Sequence, residues 1–325
     1  MSKHINRIRI RFLSLIIISF LLIGTFSTTV SATAYSTSFT KGTEFFQVTK
    51  YYKTTWQTTV GSDSNPSDWF GGDANITGAQ SKFTTMGWAS AVWEMYDFLI
   101  SMFLSDSNAA LALMVIGQKG YNETEINNNY NNTYSLTSGM RSQWYFVSGA
   151  FNESSISAID MPIILNNPAD YKQILDDYNN LAYEIRADNF FPYDAEVEAV
   201  FQNMTADDFL WQLTLNSLAI GTPKSTYIQE LVDTLGCENV SYSGNTLIIE
   251  RTGETNYTVE ITYGAQGTIT SFVVKNDVGT IIYQFISLGN TNWIVSILVG
   301  VIIACFSGLM VYIIYRKKKF NKLKR

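Results

Sequence analysis

The chain of 325 residues holds one histidine, His4, and two cysteines, Cys237 and Cys305. With no histidine after position 4, the rest of the chain cannot assemble a Ser-His-Asp or Cys-His nucleophile, a His-ligated zinc or haem site, or a histidine pH switch. Cys305 lies in a long apolar run, so Cys237 has no partner for an internal disulfide and the body must fold on its core alone. Acidic residues are missing from both ends, all 28 lying between Glu44 and Asp277. No Walker A string and no dinucleotide fingerprint occurs, and no cofactor is indicated.

The ends themselves carry topological signals. Lys3, Arg7, Arg9 and Arg11 precede an uncharged apolar stretch from Phe12 to Phe26, and small residues come next at Val30-Ser31-Ala32 and Ala32-Thr33-Ala34. This is the pattern of a secretory signal over 1–34, with an uncleaved signal anchor as the alternative; either exports the body that begins at Tyr35. Trp293 to Tyr315 is 23 residues without a charge, about 34 Å as a helix and enough to cross a hydrocarbon core. Trp293, Tyr312 and Tyr315 stand where interfacial rings lie, and the tail 316–325 carries seven basic residues and no acid. The expected topology is a single-pass type I protein of the cell membrane: signal 1–34, extracellular body 35–291, transmembrane helix 293–315 and cytoplasmic tail.

Charge obeys the same division. The body between Tyr35 and Thr291 has eleven basic residues against 28 acidic, a formal −17, although the whole chain sums to only −6. Such a body attracts cations or basic partners and repels nucleic acid.

Within the body, alternation around Phe46 and Val48 suits a strand, and turn formers fill Gly61 to Asp73. Val92, Tyr96, Leu99 and Phe103 fall at helical spacing, Ala109 to Ile116 is a short apolar octet, and Tyr121 to Ser135 reads as a polar loop. Asn167-Pro168 opens an expected helix through Arg186, and others are expected near Ala195, from Thr205 with Asp208, and from Pro223 to Leu235 with Gly236 as stop. From Asn239 to Ser287 the period is two, giving strands at Thr246–Arg251, Tyr257–Tyr263, Ile269–Asn276 and Thr280–Ile286. The expected fold class is α+β: an antiparallel meander packed with helices plus one C-terminal transmembrane helix, with 35–165 and 166–287 as candidate subdomains.

Candidate sites are few. Asp63, Asn65, Asp68 and Asp73 in one loop offer oxygen ligands of the kind calcium takes, but Asp68 and Ala74 occupy the Gly and Glu positions of an EF-hand begun at Asp63, so a solvated turn is the simpler account. Ser38 and Lys41 match a Ser-x-x-Lys string outside any recognisable helix, and nothing selects a carboxylate pair for hydrolysis. Sequons for N-glycosylation occur at Asn75, Asn122, Asn131, Asn152, Asn203, Asn239 and Asn256. Gly300, Ala304 and Gly308 form a small-xxx-small stripe for self-association of membrane helices.

In layout, with signal, Thr/Ser/Asn-rich acidic body, apolar helix and Lys/Arg tail, and in the string Pro66-Ser67-Asp68-Trp69-Phe70-Gly71-Gly72-Asp73-Ala74-Asn75, the chain resembles uncharacterised single-pass cell-surface proteins of archaea. That resemblance implies no activity and no site residues. The expected function is a membrane-anchored surface protein with a non-enzymatic binding or assembly ectodomain, held by membrane lipid at 293–315 and facing an extracellular ligand or protein. The alternatives are a carrier of a lipid or other apolar ligand in a curved sheet and, third, a carboxylate-dependent hydrolase.

Overall fold

The computed structural model describes residues 35–37, 41–98, 123–149, 158–187, 201–215 and 218–290. Strand β1 (Gly42–Tyr51) leads into helices α1 (Lys53–Thr59) and α2 (Pro66–Phe70), succeeded by β2 (Gln80–Glu94), α3 (Glu123–Asn129), β3 (Thr133–Val147), β4 (Ala158–Asp160) and β5 (Ile163–Leu165). Helices α4 (Asp170–Ala187), α5 (Ala206–Leu215) and α6 (Lys224–Leu235) precede a second run, β6 (Val240–Ser243), β7 (Thr246–Thr252), β8 (Asn256–Tyr263), β9 (Ile269–Asn276) and β10 (Ile281–Asn290).

All ten strands join one antiparallel sheet in the order β4-β3-β2-β1-β10-β9-β8-β7-β6, with β5 also paired to β3. The first strand and the last are neighbours, so the β1–β10 seam fuses two meanders and one sheet runs through both halves of the chain. The expected α+β class is therefore corrected: the body is a mostly antiparallel half-barrel with few helices. Among the described residues no helix is long and apolar enough to cross a membrane. The segments 1–34 and 293–315 lie outside the described residues.

Local spacing sets one helix start too early because it cannot see strand pairing. Val92 and Tyr96 are four apart, but β2 runs through Ala91 to Glu94, each residue of which pairs with β3, and helix begins only at Met95. Pairing with β3 gives alternate backbone groups of that stretch partners that lie about forty residues away in the chain. The Asn-rich stretch expected as a loop contains α3, and its end already belongs to the 15-residue β3. The helix expected near Ala195 and the octet Ala109 to Ile116 fall outside the described residues.

Side-chain alternation sets an inner and an outer face. Registered across the C-terminal half, Leu247, Ile261, Phe272 and Phe285 share one inner row, and Ile249, Val259, Val274 and Tyr283 the next. All eight are buried, and a fully buried side chain such as Phe272 contributes about 2–3 kcal/mol by its removal from water. The opposite face is polar: the Thr246 and Thr262 hydroxyls meet at 2.9 Å across the strands, and Lys275 pairs with Glu260. Helix α6 lies against β6 and β7 with Tyr227, Ile228, Leu231, Val232 and Leu235 buried, and Gly236 closes it in the left-handed conformation at φ 72°.

The half-barrel has two distinct ends. At one, β10 finishes at Asn290 opposite Glu44. At the other lie the β7–β8 and β9–β10 turns together with α1, where Thr255 donates its backbone N–H to Thr59 O at 3.1 Å.

Candidate functional site

The loop between β1 and β2 carries the string Pro66 to Asn75, and its two large rings are drawn inward. Pro66 at N1 and a capping box start α2: Ser67 N–H donates to Asn65 Oδ1 at 2.9 Å, and Asn65 N–H donates to Asp68 Oδ2 at 2.7 Å. One turn later Trp69 sits 4.8 Å from Trp56 of α1 and 5.2 Å from Trp211 of α5, in edge contacts. Phe70 lies 4.8 Å from Phe272 and 5.0 Å from Phe285, and stacks on Tyr283 at 6.0 Å. The row continues through Phe285 to Phe46 at 5.8 Å and Phe83 at 5.2 Å, where the Arg141 guanidinium covers the Phe83 ring at 4.4 Å. The protein's own rings thus fill the inner face from the turn end towards the end where β10 stops.

Exit from α2 depends on glycine. Gly71 and Gly72 have φ of 70° and 55°, and a Cβ on Gly72 would stand 2.2 Å from Phe146 O. This close approach lets Asp73 N–H donate to Phe146 O at 2.7 Å, and Asp73 Oδ2 accepts from both Ser148 N–H and Ser148 Oγ at 2.8 Å. Those bonds hold the Asp73 carboxyl below its ordinary range.

The four calcium candidates are therefore occupied differently. Asn65 and Asp68 come together in the capping box, Asp73 ties the loop to β3, and Asp63 is exposed beside Ser62. No group of three or more His, Cys, Asp or Glu side chains placed to hold a metal occurs among the described residues.

Buried and half-buried polar groups cluster at three further places. At the β10 end, Ser287 Oγ donates to Glu44 Oε1 at 2.7 Å; burial raises the Glu44 pKa, with Ser287 and Arg141 opposing the shift. Between α4 and β3, buried Asp177 accepts from Tyr134 OH at 2.6 Å, Asn132 Nδ2 at 2.8 Å and Gln173 Nε2 at 2.8 Å. Neutral donors satisfy the carboxylate, which makes it a fastener of α4 to the sheet. On α5, Asp207 accepts from the backbone N–H groups of Glu238 and Asn239, while Asp208 pairs with Arg251 at 2.9 Å and Arg251 covers Trp211 at 5.2 Å. The Cys237 thiol, half-buried beside Asp207, is pushed up to about 12, chiefly by burial.

Of the sequons, Asn131, Asn203, Asn239 and Asn256 are exposed and Asn75 is half-buried. Asn122, Asn152 and the stripe Gly300, Ala304 and Gly308 lie outside the described residues, as do Ser38 and most of its string.

Sequence reading missed the inward role of Trp69 and Phe70, the Glu44–Ser287–Arg141 group and the Asp177 fastener. Only the first had a local signal: two adjacent large rings inside a stretch of turn formers are costly to expose. The other two need partners far along the chain. No family model, no curated protein and no solved structure matches the chain.

Proposed function

We propose that this is a membrane-anchored cell-surface protein whose acidic half-barrel is a non-catalytic binding or assembly body. The observation that carries the proposal is that the inner face is packed by the protein's own rings, Phe70 meeting the stacked Phe272 and Phe285 edge-on at 4.8 and 5.0 Å. The carboxylates described above serve the architecture in helix caps, strand ties and the Asp208–Arg251 pair. Such a body offers a partner its outer surface, and with −17 on 35–291 the partners it favours are cations and basic protein surfaces. The export signal, the apolar segment 293–315 and the basic tail support a place at the cell membrane with the body outside and the tail inside. Gly300, Ala304 and Gly308 would then bring two copies together. In the test, purified full-length protein is offered ester, peptide, glycoside and phosphoester substrates. No turnover above buffer is expected, and turnover abolished by a single carboxylate substitution would overturn the proposal.

A second reading, carriage of an apolar ligand, is favoured by one feature. The Tyr283 hydroxyl is buried with no hydrogen-bond partner among the described residues, and the Tyr283 ring stacks on Phe70. A ligand that displaced Phe70 and offered an acceptor would satisfy it. Native mass spectrometry showing a co-purifying lipid lost in Tyr283→Phe would support carriage, and a ligand-free mass would count against it.

A further inference from the structure

We propose that Met86, Met140 and Met161 form a thioether site for one soft monovalent cation, of the class of Cu(I) and Ag(I), on the outer face of the sheet. Strand register carries this site, which goes beyond the surface-protein reading and holds whether or not the chain is anchored. Strands β4 and β5 pair with β3 in one register, Arg141 opposite Asp160 and Ser138 opposite Ile163. Between them Gly139 N–H donates to Pro162 O at 2.8 Å, so the same register sets Met140 opposite Met161. A residue before proline is held extended, as that register requires of Met161. The bulge in β2 brings in the third thioether: Thr85 stands opposite Arg141 and Gly87 opposite Met140, which leaves Met86 as the extra residue.

Contacts on either side fix the face. A Cβ on Gly139 would stand 3.0 Å from the Trp88 ring and 3.1 Å from Pro162, so Trp88, Gly139 and Pro162 share one face, and Met140 and Met161, next along their strands, share the other. Ser142, two residues from Met140 and on its face, donates its hydroxyl to Met86 Sδ at 4.0 Å. This face is the outer one, since Ser142 stands opposite Thr84, whose neighbour Phe83 turns inward against Phe46. Met140 and Met161 are 49% and 54% exposed, and Met86 38%. Opposite residues of antiparallel strands hold their Cβ atoms about 5 Å apart, and the rotatable bonds of methionine let each sulfur turn towards a common point. Elsewhere the outer face pairs Thr246 with Thr262 and Lys275 with Glu260. Thioether sulfur is a soft donor suited to Cu(I), whereas calcium and magnesium take oxygen. The −17 of the body draws cations to its surface. Lys41, whose Cε lies 3.9 Å from where a Gly87 Cβ would stand, is a charge that works against the ion.

The test titrates Ag(I), which needs no reductant, into the full chain in detergent, with Cys237→Ser and Cys305→Ser as background to remove thiols. Isotope-labelled methionine methyl groups are followed by NMR and assigned by Met→Leu variants. The signals of 86, 140 and 161 should shift together and saturate at one ion per chain. Each of Met86→Leu, Met140→Leu and Met161→Leu should weaken binding at least about tenfold. Met204→Leu, at a side chain packed against the core, should leave it unchanged, Lys41→Gln should tighten it, and Ca(II) should move none of the three signals. Silence at 86, 140 and 161 in excess Ag(I) overturns the site, as does an affinity that survives loss of any one of the three. Shifts that follow protein concentration without Ag(I) also overturn it, because a second copy then covers the face. Each of these failures leaves the anchored reading untouched.

Discussion

Replacing Phe70 by Ala tests how far the loop between β1 and β2 completes the core. The ring meets Phe272 at 4.8 Å, Phe285 at 5.0 Å and Tyr283 at 6.0 Å. Phe→Ala in a closed core costs about 3–5 kcal/mol, and each aromatic pair adds about 0.5–1.5 kcal/mol beyond buried area. Phe70 is half-buried and sits at the mouth of the inner face, where neighbours collapse more easily, so the expected loss is about 3 kcal/mol. For a body of this size that lowers the melting temperature by roughly 6–12 °C. Urea denaturation monitored by near-ultraviolet circular dichroism reads both the midpoint and the packing of the rings. Ile76→Ser on the same loop, at a side chain 42% exposed, is the control and should shift stability by less than about 0.5 kcal/mol. A Phe70→Ala loss no larger than the control's would refute the reasoning, since the ring would then be decorating the surface.

Particular contacts lead to four further outcomes. Gly72→Ala should cost more than Gly78→Ala in the same melts, because both have positive φ but only Gly72 would drive a Cβ to 2.2 Å from a carbonyl oxygen, while Gly78 has open space around it; equal losses would contradict the close approach at Phe146. The Glu44 carboxyl is raised by burial, so the stability tied to its protonated form is complete below its ordinary value of 4.5 and is lost as pH rises through the raised value. Glu44→Gln, which still accepts from Ser287, should therefore stabilise the protein at pH 7 with a gain that shrinks in acid, and a gain independent of pH would contradict it. Cys237, pushed up to about 12, should react slowly with iodoacetamide at pH 7.5, and Asp207→Asn should speed the reaction; fast labelling of the unaltered protein would count against the burial. Asn239 donates its side-chain N–H to Asp207 at 2.8 Å, whereas Asn203 and Asn256 accept through their amide oxygens, so glycopeptide mapping should place glycan on Asn203 or Asn256 in preference to Asn239.

The parts of the fold legible in the sequence are those written in local patterns. The period of two across Tyr257, Val259, Ile261 and Tyr263 marks one buried face of β8, and the stripe ending at Gly236 marks α6. The β1–β10 seam was not legible, because Phe46 and Ser287 are neighbours only through pairing over more than two hundred residues. The same holds for the end of β2: Ala91 to Glu94 bond to β3, so the helix suggested by the spacing of Val92 and Tyr96 begins only at Met95. In the candidate site, Asp68 and Asn65 were visible as polar loop residues, but their use in a capping box is a backbone matter that composition does not show. Asp177 reads as one more acid on a helix until Tyr134 arrives from β3.

The proposed topology puts an acidic body outside the cell and a basic tail inside. Its most direct measurement is labelling of intact cells with a membrane-impermeant amine reagent and then peptide mapping. Lys50 and Lys53, both exposed on the body, should be labelled on sealed cells, and Lys317, Lys318 and Lys319 only after permeabilisation. Labelling of the tail on sealed cells with Lys50 and Lys53 protected, or protection of all five, would contradict it.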